Sequence, residues 1–188
     1  APVRYVLATV LAARQDWTDA IAAFNETLKL NPRVNEARLE LARLSLLTGK
    51  TDDSTGFARE AVRAQPDSAN AHLMLARTLL AKGALAAAEP SMQALASAFP
   101  TSAAVHALRG DFFRAKGDAR NARKAFEQAL AIEPSQLEAL GGLSALDVQA
   151  KNPAAARTRL DARVAADPGN VPVLLLAATV YAAVGDPK

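Results

Sequence analysis

Gly110-Asp-Phe-Phe-Arg-Ala-Lys-Gly117-Asp-Ala-Arg-Asn-Ala122-Arg-Lys-Ala-Phe126-Glu-Gln-Ala129-Leu-Ala-Ile-Glu-Pro134 reads as a helical hairpin. Leu108, Phe112 and Phe113 form an apolar stripe before a Gly-Asp break. Ala122, Ala125, Phe126, Ala129 and Leu130 form a second stripe after it, both at helical spacing. Pro134 then stops the second helix.

The same grammar recurs along the chain. Pro32, Pro66, Pro100, Pro134 and Pro168 are each separated from the next by 34 residues. Gly49, Gly83, Gly117 and Gly185 each follow one of these prolines by 17 residues, where a finished helix needs a left-handed residue. Small residues mark a close helix approach at Ala20, Ser54, Ala88, Ala122 and Ala156. Four positions later stand Phe24, Ala58, Met92, Phe126 and Leu160. Period, glycine, small residue, large residue and proline together resemble the tetratricopeptide repeat, a helix-turn-helix unit of that length. The aromatic usual early in the family's first helix is replaced here by Arg4, Arg38, His72, His106, Leu140 and Leu174.

The resemblance implies an all-α fold: an α-solenoid of stacked hairpins forming a right-handed superhelix. Its units are residues 1–34, 35–68, 69–102, 103–136 and 137–170, followed by an unpaired first helix in 171–188. A single solenoid is expected, because each repeat packs only on its neighbours. The apolar run Val-Pro-Val-Leu-Leu-Leu-Ala-Ala-Thr-Val-Tyr-Ala-Ala-Val over 171–184 lacks the polar face of a capping helix. It predicts a piece of a longer array, and self-association through that helix.

Hydrophobic residues make up 51% of the 188, yet aromatics only 5%, as suits thin alanine-rich helices in close contact. The absence of cysteine excludes disulfides and thiolate metal sites but leaves the compartment open, periplasm and cell envelope or cytoplasm. Twenty-two basic against 19 acidic residues is near balance and names no nucleic-acid partner. Arg114, Lys116, Arg120, Arg123 and Lys124 crowd one unit, but with Asp111, Asp118 and Glu127 among them and no interleaved aromatics they read as a solvated face. No apolar run is long enough to cross a bilayer.

Local expectations attach to single residues. Asp16 or Thr18 caps the second helix of the first unit, and Ser68 caps the helix over 69–82. Trp17 packs at a turn. Pro90 falls in the first turn of its helix and delays or kinks it. Gly141-Gly142 in mid-helix marks either a need for bare backbone or a weak helix. The carboxylates sit in turns and on outer faces. His72 and His106 repeat at one register position without a third metal ligand, so packing or partial exposure is the expected role. No catalytic motif, cofactor loop or metal set is present in the sequence, which reads as non-enzymatic.

In the family the first helices line the concave side. Positions repeating on one side of that helix are then the candidate partner-binding groove: Tyr5, Thr9, Leu39, Arg43, Leu73, Arg77, Ala107, Asp111, Arg114 and Gly141. Arg43 and Arg77 stand at equivalent positions and either present two guanidinium groups to an acidic partner or pair internally, Arg43 with Glu40 and Arg77 with Asp111. The lysine and asparagine by which one subset of the family holds acidic chaperone tails are absent here.

The function implied is a scaffold that binds a peptide or partner protein. Two alternatives stand beside it: the regulatory array of a larger enzyme, as in glycosyltransferases that carry such repeats, or a self-assembling scaffold. In style the units also look like bacterial arrays tied to envelope export, exopolysaccharide secretion and the PEP-CTERM sorting system.

Overall fold

Alanine-rich stripes broken every 17 residues or so leave the chain one simple solution, short helices folded back in pairs. The computed structural model describes residues 1–185, so the part of the expected terminal element at 186–188 lies outside the described residues. It contains eleven helices and no strand among the described residues. In order they are α1 (Pro2–Ala13), α2 (Trp17–Leu30), α3 (Asn35–Leu47), α4 (Thr51–Ala64), α5 (Ala69–Ala81), α6 (Leu85–Ala98), α7 (Ala103–Ala115), α8 (Ala119–Ile132), α9 (Leu137–Gln149), α10 (Pro153–Ala166) and α11 (Val171–Ala183). The fold is an all-α solenoid of helix-turn-helix hairpins. Two compact units divide it, Ala1–Leu95 and Ala96 onward, here called units 1 and 2.

Every hairpin turn has the same bonding. The residue after the glycine donates back to a carbonyl five residues earlier, as in Lys50 N to Ser45 O at 2.8 Å and Asp118 N to Phe113 O at 2.9 Å. That closure needs a positive φ, which Gly49, Gly83 and Gly117 supply at 70–77°. The first and fifth hairpins have no glycine there. Gln15 at φ 65° and Lys151 at φ 58° take the left-handed conformation instead and close the same bonds.

Helix starts are capped on the same period. Ser68 accepts from Ala71 N at 3.3 Å, as expected, and Ser102, Gln136 and Asn170 cap α7, α9 and α11 in the same way. The first hairpin differs from expectation: neither Asp16 nor Thr18 caps α2, and the Asp16 carboxylate instead lies 3.3 Å from Arg14. Pro90 also differs. α6 begins at Leu85, ahead of the proline, which therefore sits beyond the first turn and removes the bond to the Ala86 carbonyl.

In unit 1, Ala8, Ala20, Ala23, Phe24, Ala37, Leu41 and Leu44 form the core of the first two hairpins, with Trp17 packed against it. Ser54 replaces the small alanine of other hairpins without loss, because its hydroxyl donates to the Ala42 carbonyl at 2.7 Å in a fully buried position.

In unit 2, α9 packs on α7, α8, α10 and α11. Phe126 of α8, fully buried, decides the composition of its neighbours. A Cβ on Gly110 or on Gly142 would lie within 2.7 Å of three ring atoms of Phe126, so the ring is seated between two bare backbones. Gly142 is thus the glycine that needs to be bare. Gly141 is not, since its Cβ would meet only Leu176 Cδ1 at 3.6 Å.

Candidate functional site

The first helices of successive hairpins carry the expected groove residues, and each unit presents its own set. In unit 1, Tyr5 on α1 lies edge-on to Phe24 with centroids 5.6 Å apart. Burial, then the Glu40 and Glu36 carboxylates on α3, push its phenol above the usual range. Thr9 turns its hydroxyl to its own helix, donating to the Tyr5 carbonyl at 2.9 Å. Leu39 and Arg77 are half-buried. Arg43 forks onto one oxygen of Glu40, through Nε at 2.9 Å and Nη2 at 2.7 Å. That is the internal pairing offered as the alternative to a bare guanidinium. Leu73 is buried and offers a partner almost no surface.

In unit 2, Arg114 donates to Asp111 at 3.0 Å. Ala107 belongs to the core cluster with Ala122, Phe126 and Leu143 rather than to an open surface, because a small side chain at that position is covered by its neighbours. Gly141 is different. It lines a cavity of about 390 Å³ between α9 and α11, together with Ser144, Ala145, Val148, Leu176, Thr179 and Val180. No charged residue lines it. The hydroxyls of Ser144 and Thr179 are consumed by the carbonyls of Leu140 and Leu175 at 2.8 Å, so what faces the cavity is apolar apart from the Gln149 amide at one end. Bare backbone at Gly141 and the small Ala145 open the space. A leucine in either place would fill it.

Sequence reasoning missed the most buried ionic group. The Asp147 carboxylate is 4% exposed and accepts from Arg123 of α8 at 2.6 Å and from Arg159 of α10 at 2.7 Å. This corrects the expectation that all carboxylates sit in turns and on outer faces, and removes Arg123 from the solvated basic face. Burial raises the Asp147 pKa, but the hydrogen bonds and charges of the two arginines outweigh it and hold the group below the usual carboxylate range. The signal was available in the periodicity, since residue 147 follows the buried Leu143 by four and so falls on the same stripe.

The two histidines serve turns. His72 Nε2 meets the Pro66 carbonyl at 2.6 Å, and His106 Nε2 meets that of Pro100 at 2.8 Å. A carbonyl only accepts, so Nε2 carries the proton in each and is engaged. Among the described residues no group of three or more His, Asp or Glu is arranged to hold a metal. Tyr181 of α11 donates to Asp161 of α10 at 2.5 Å, under the Arg157 guanidinium at 5.4 Å from its ring. Burial first, and then the Asp161 hydrogen bond and charge, push its phenol up to about 12. Together they fasten α11 to α10.

The tetratricopeptide repeat profile matches residues 5–65, and a second profile of that description matches residues 55–111 and 113–177. No curated protein matches the chain. Among solved structures, a thermophilic TPR protein of Thermus thermophilus superposes with a TM-score of 0.82 at 22% identity, covering 96% of this chain and 98% of that one. MamA from Desulfovibrio magneticus RS-1 gives 0.66 at 14% identity, covering 90% and 96%. YrrB, described as a TPR protein with an unusual peptide-binding site, gives 0.57 at 16% identity, covering 92% and 89%. At these identities the likeness is one of fold. Among the described residues no helix is long and apolar enough to cross a membrane.

Proposed function

The chain belongs to the tetratricopeptide repeat family, and from that premise we propose that it is a non-enzymatic scaffold holding an extended segment of a partner protein along its first helices. One observation carries the reading: the apolar cavity between α9 and α11, walled by Gly141, Ala145 and Leu176 and free of charge. Its volume of about 390 Å³ falls in the range of roughly 300–1,000 Å³ typical of ligand pockets. The occupant it suits is an apolar side chain, with the Gln149 amide left to meet one peptide group of the bound segment. Unit 1, by itself, carries the carboxylates of Glu36 and Glu40 and the guanidinium of Arg43 on α3.

The test is a random peptide display against the immobilised chain, followed by titration of the selected peptides. Ala145→Glu and Thr179→Glu are expected to weaken them about tenfold or more, some 1.4 kcal/mol, while Lys124→Glu on the exposed side of α8 leaves them unchanged. Selected peptides that bind both cavity variants as tightly as the parent chain refute the reading.

A second reading has its own support. α11 carries no charged residue, and its Val171, Leu174 and Leu175 are exposed at 59%, 37% and 65%. Burying such a face against a second copy gives self-association. Light scattering over a range of concentrations is expected to show a rising mass that Leu175→Glu suppresses; a concentration-independent monomer mass excludes it.

A further inference from the structure

Val3 and Val10 of α1 are 82% and 51% exposed, although the same register positions are buried in later first helices, at Ala37 and Leu44 of α3, Ala71 and Thr78 of α5, and Ala139 and Leu146 of α9. In each of those the second helix of the hairpin before it supplies cover: α2 packs on α3, α4 on α5 and α8 on α9. The open side of α1 is therefore a surface of the kind that repeats use to meet one another. Val6, 61% exposed, extends it. The arginines nearby are engaged elsewhere, Arg4 with Glu26 at 3.2 Å and Arg14 with Asp16 at 3.3 Å.

First helices also meet each other directly, α3 with α5, α7 with α9 and α9 with α11. The last of these contacts shows which sides are used. α9 brings Gly141, Ala145 and Val148, and α11 brings Leu176, Val180 and Ala183. Carried on by one repeat, the side that α9 uses becomes Leu175, Thr179 and Ala182 of α11, all exposed. The side that α11 uses corresponds on α1 to Val6, Val10 and Ala13, which are exposed as well. None of these six residues is charged. The hydroxyl of Thr179 is spent on the Leu175 carbonyl at 2.8 Å, and that of Thr9 on α1 is spent on the Tyr5 carbonyl at 2.9 Å, so a contact here buries no unpaired side-chain donor. Bulk fits too. Leu175 stands where α9 has the bare Gly141, and so fills the space that stays open between α9 and α11.

We propose that the open side of α1 is the seat for α11 of a second copy, so that copies join head to tail, first helix upon first helix. The proposal rests on the self-association read above from α11 and names the surface that receives it. Such an interface is heterologous, because each joined pair still offers one free α1 and one free α11. Pairing of α11 with α11 would instead be isologous and leave α1 unused.

The test is sedimentation velocity over a range of concentrations on the full chain, a Val6→Glu/Val10→Glu chain, a Leu175→Glu chain, and an equimolar mixture of the two variants. The parent is expected to rise in mass with concentration. Each variant alone is expected to stay monomeric, its association weakened at least about tenfold, with helical content by circular dichroism unchanged because the substituted side chains are exposed. Where a glutamate variant loses helical content, Val10→Gln or Thr179→Gln serves in its place. The mixture is expected to form a one-to-one dimer and stop there, since one variant keeps its α11, the other keeps its α1, and both remaining faces are spoiled. If the α1 variant associates like the parent while Leu175→Glu does not, α11 pairs with itself: self-association stands and this seat is refuted. The seat is refuted equally if Leu175→Glu associates like the parent, or if the mixture stays monomeric. A parent that is monomeric at every concentration removes self-association and the seat together.

Discussion

Replacing Gly142 with alanine is expected to destabilise unit 2, although alanine is the better helix former. Gly141 next to it is the internal control. Both substitutions gain about 1 kcal/mol of helix propensity. At residue 141 the new methyl meets Leu176 Cδ1 at 3.6 Å, an ordinary contact, so the gain survives. At residue 142 it would meet the Phe126 ring with three carbons within 2.6 Å, against roughly 3.5–4.0 Å for carbons at rest. The ring cannot retreat, because its other face is against Gly110 and it is fully buried. Overpacking of this kind costs about 1–3 kcal/mol, so Gly142→Ala should be less stable than Gly141→Ala by about that amount. The propensity term cancels between the two. Amide exchange in α8 and α9 is the suitable assay, since repeat arrays open locally. Adding Phe126→Leu should reverse the penalty of Gly142→Ala, with a coupling of about 1 kcal/mol or more in the double-mutant cycle. Equal protection in the two alanine variants would falsify the account of Phe126 as the residue that dictates both glycines.

Asp147→Asn leaves two guanidiniums without their carboxylate. Breaking a fully buried pair costs about 3–5 kcal/mol; here the arginine side chains are 36% and 24% exposed, so about 2–3 kcal/mol is expected from urea unfolding of unit 2. Because the folded pKa of Asp147 lies below its unfolded value of about 3.9, the stabilisation is complete above that pH and is lost as pH falls through the folded pKa. An acid-unfolding profile that Asp147→Asn does not flatten refutes the clasp. At the left-handed turn positions, Gln15→Gly and Lys151→Gly relieve about 1–2 kcal/mol of backbone strain each, less about 0.5–1 kcal/mol of glycine entropy. Each should raise thermal stability by about 0.5–1 kcal/mol, and a fall would mean that the exposed side chains make contacts of their own.

How much could be read without coordinates depends on how far each interaction reaches along the chain. Pro32 to Pro168 and Gly49 to Gly117 act within a few residues of themselves, ending a helix or closing a turn, so their 34-residue spacing alone determined the helices, their pairing and the family. Ser68 was legible for the same reason, because its cap bond to Ala71 is local. Gln15 and Lys151 were not read as left-handed, though the register had reserved the position, because their side chains carry no sign of the conformation that packing of the hairpin imposes. The tertiary structure alone decided which of two adjacent glycines must be bare, since that depends on a ring from α8. It alone joined Asp147 to Arg123 and Arg159, which lie 24 and 12 residues away. It also opened the apolar cavity between α9 and α11, because empty space exists only where helices from different repeats fail to fill the gap between them.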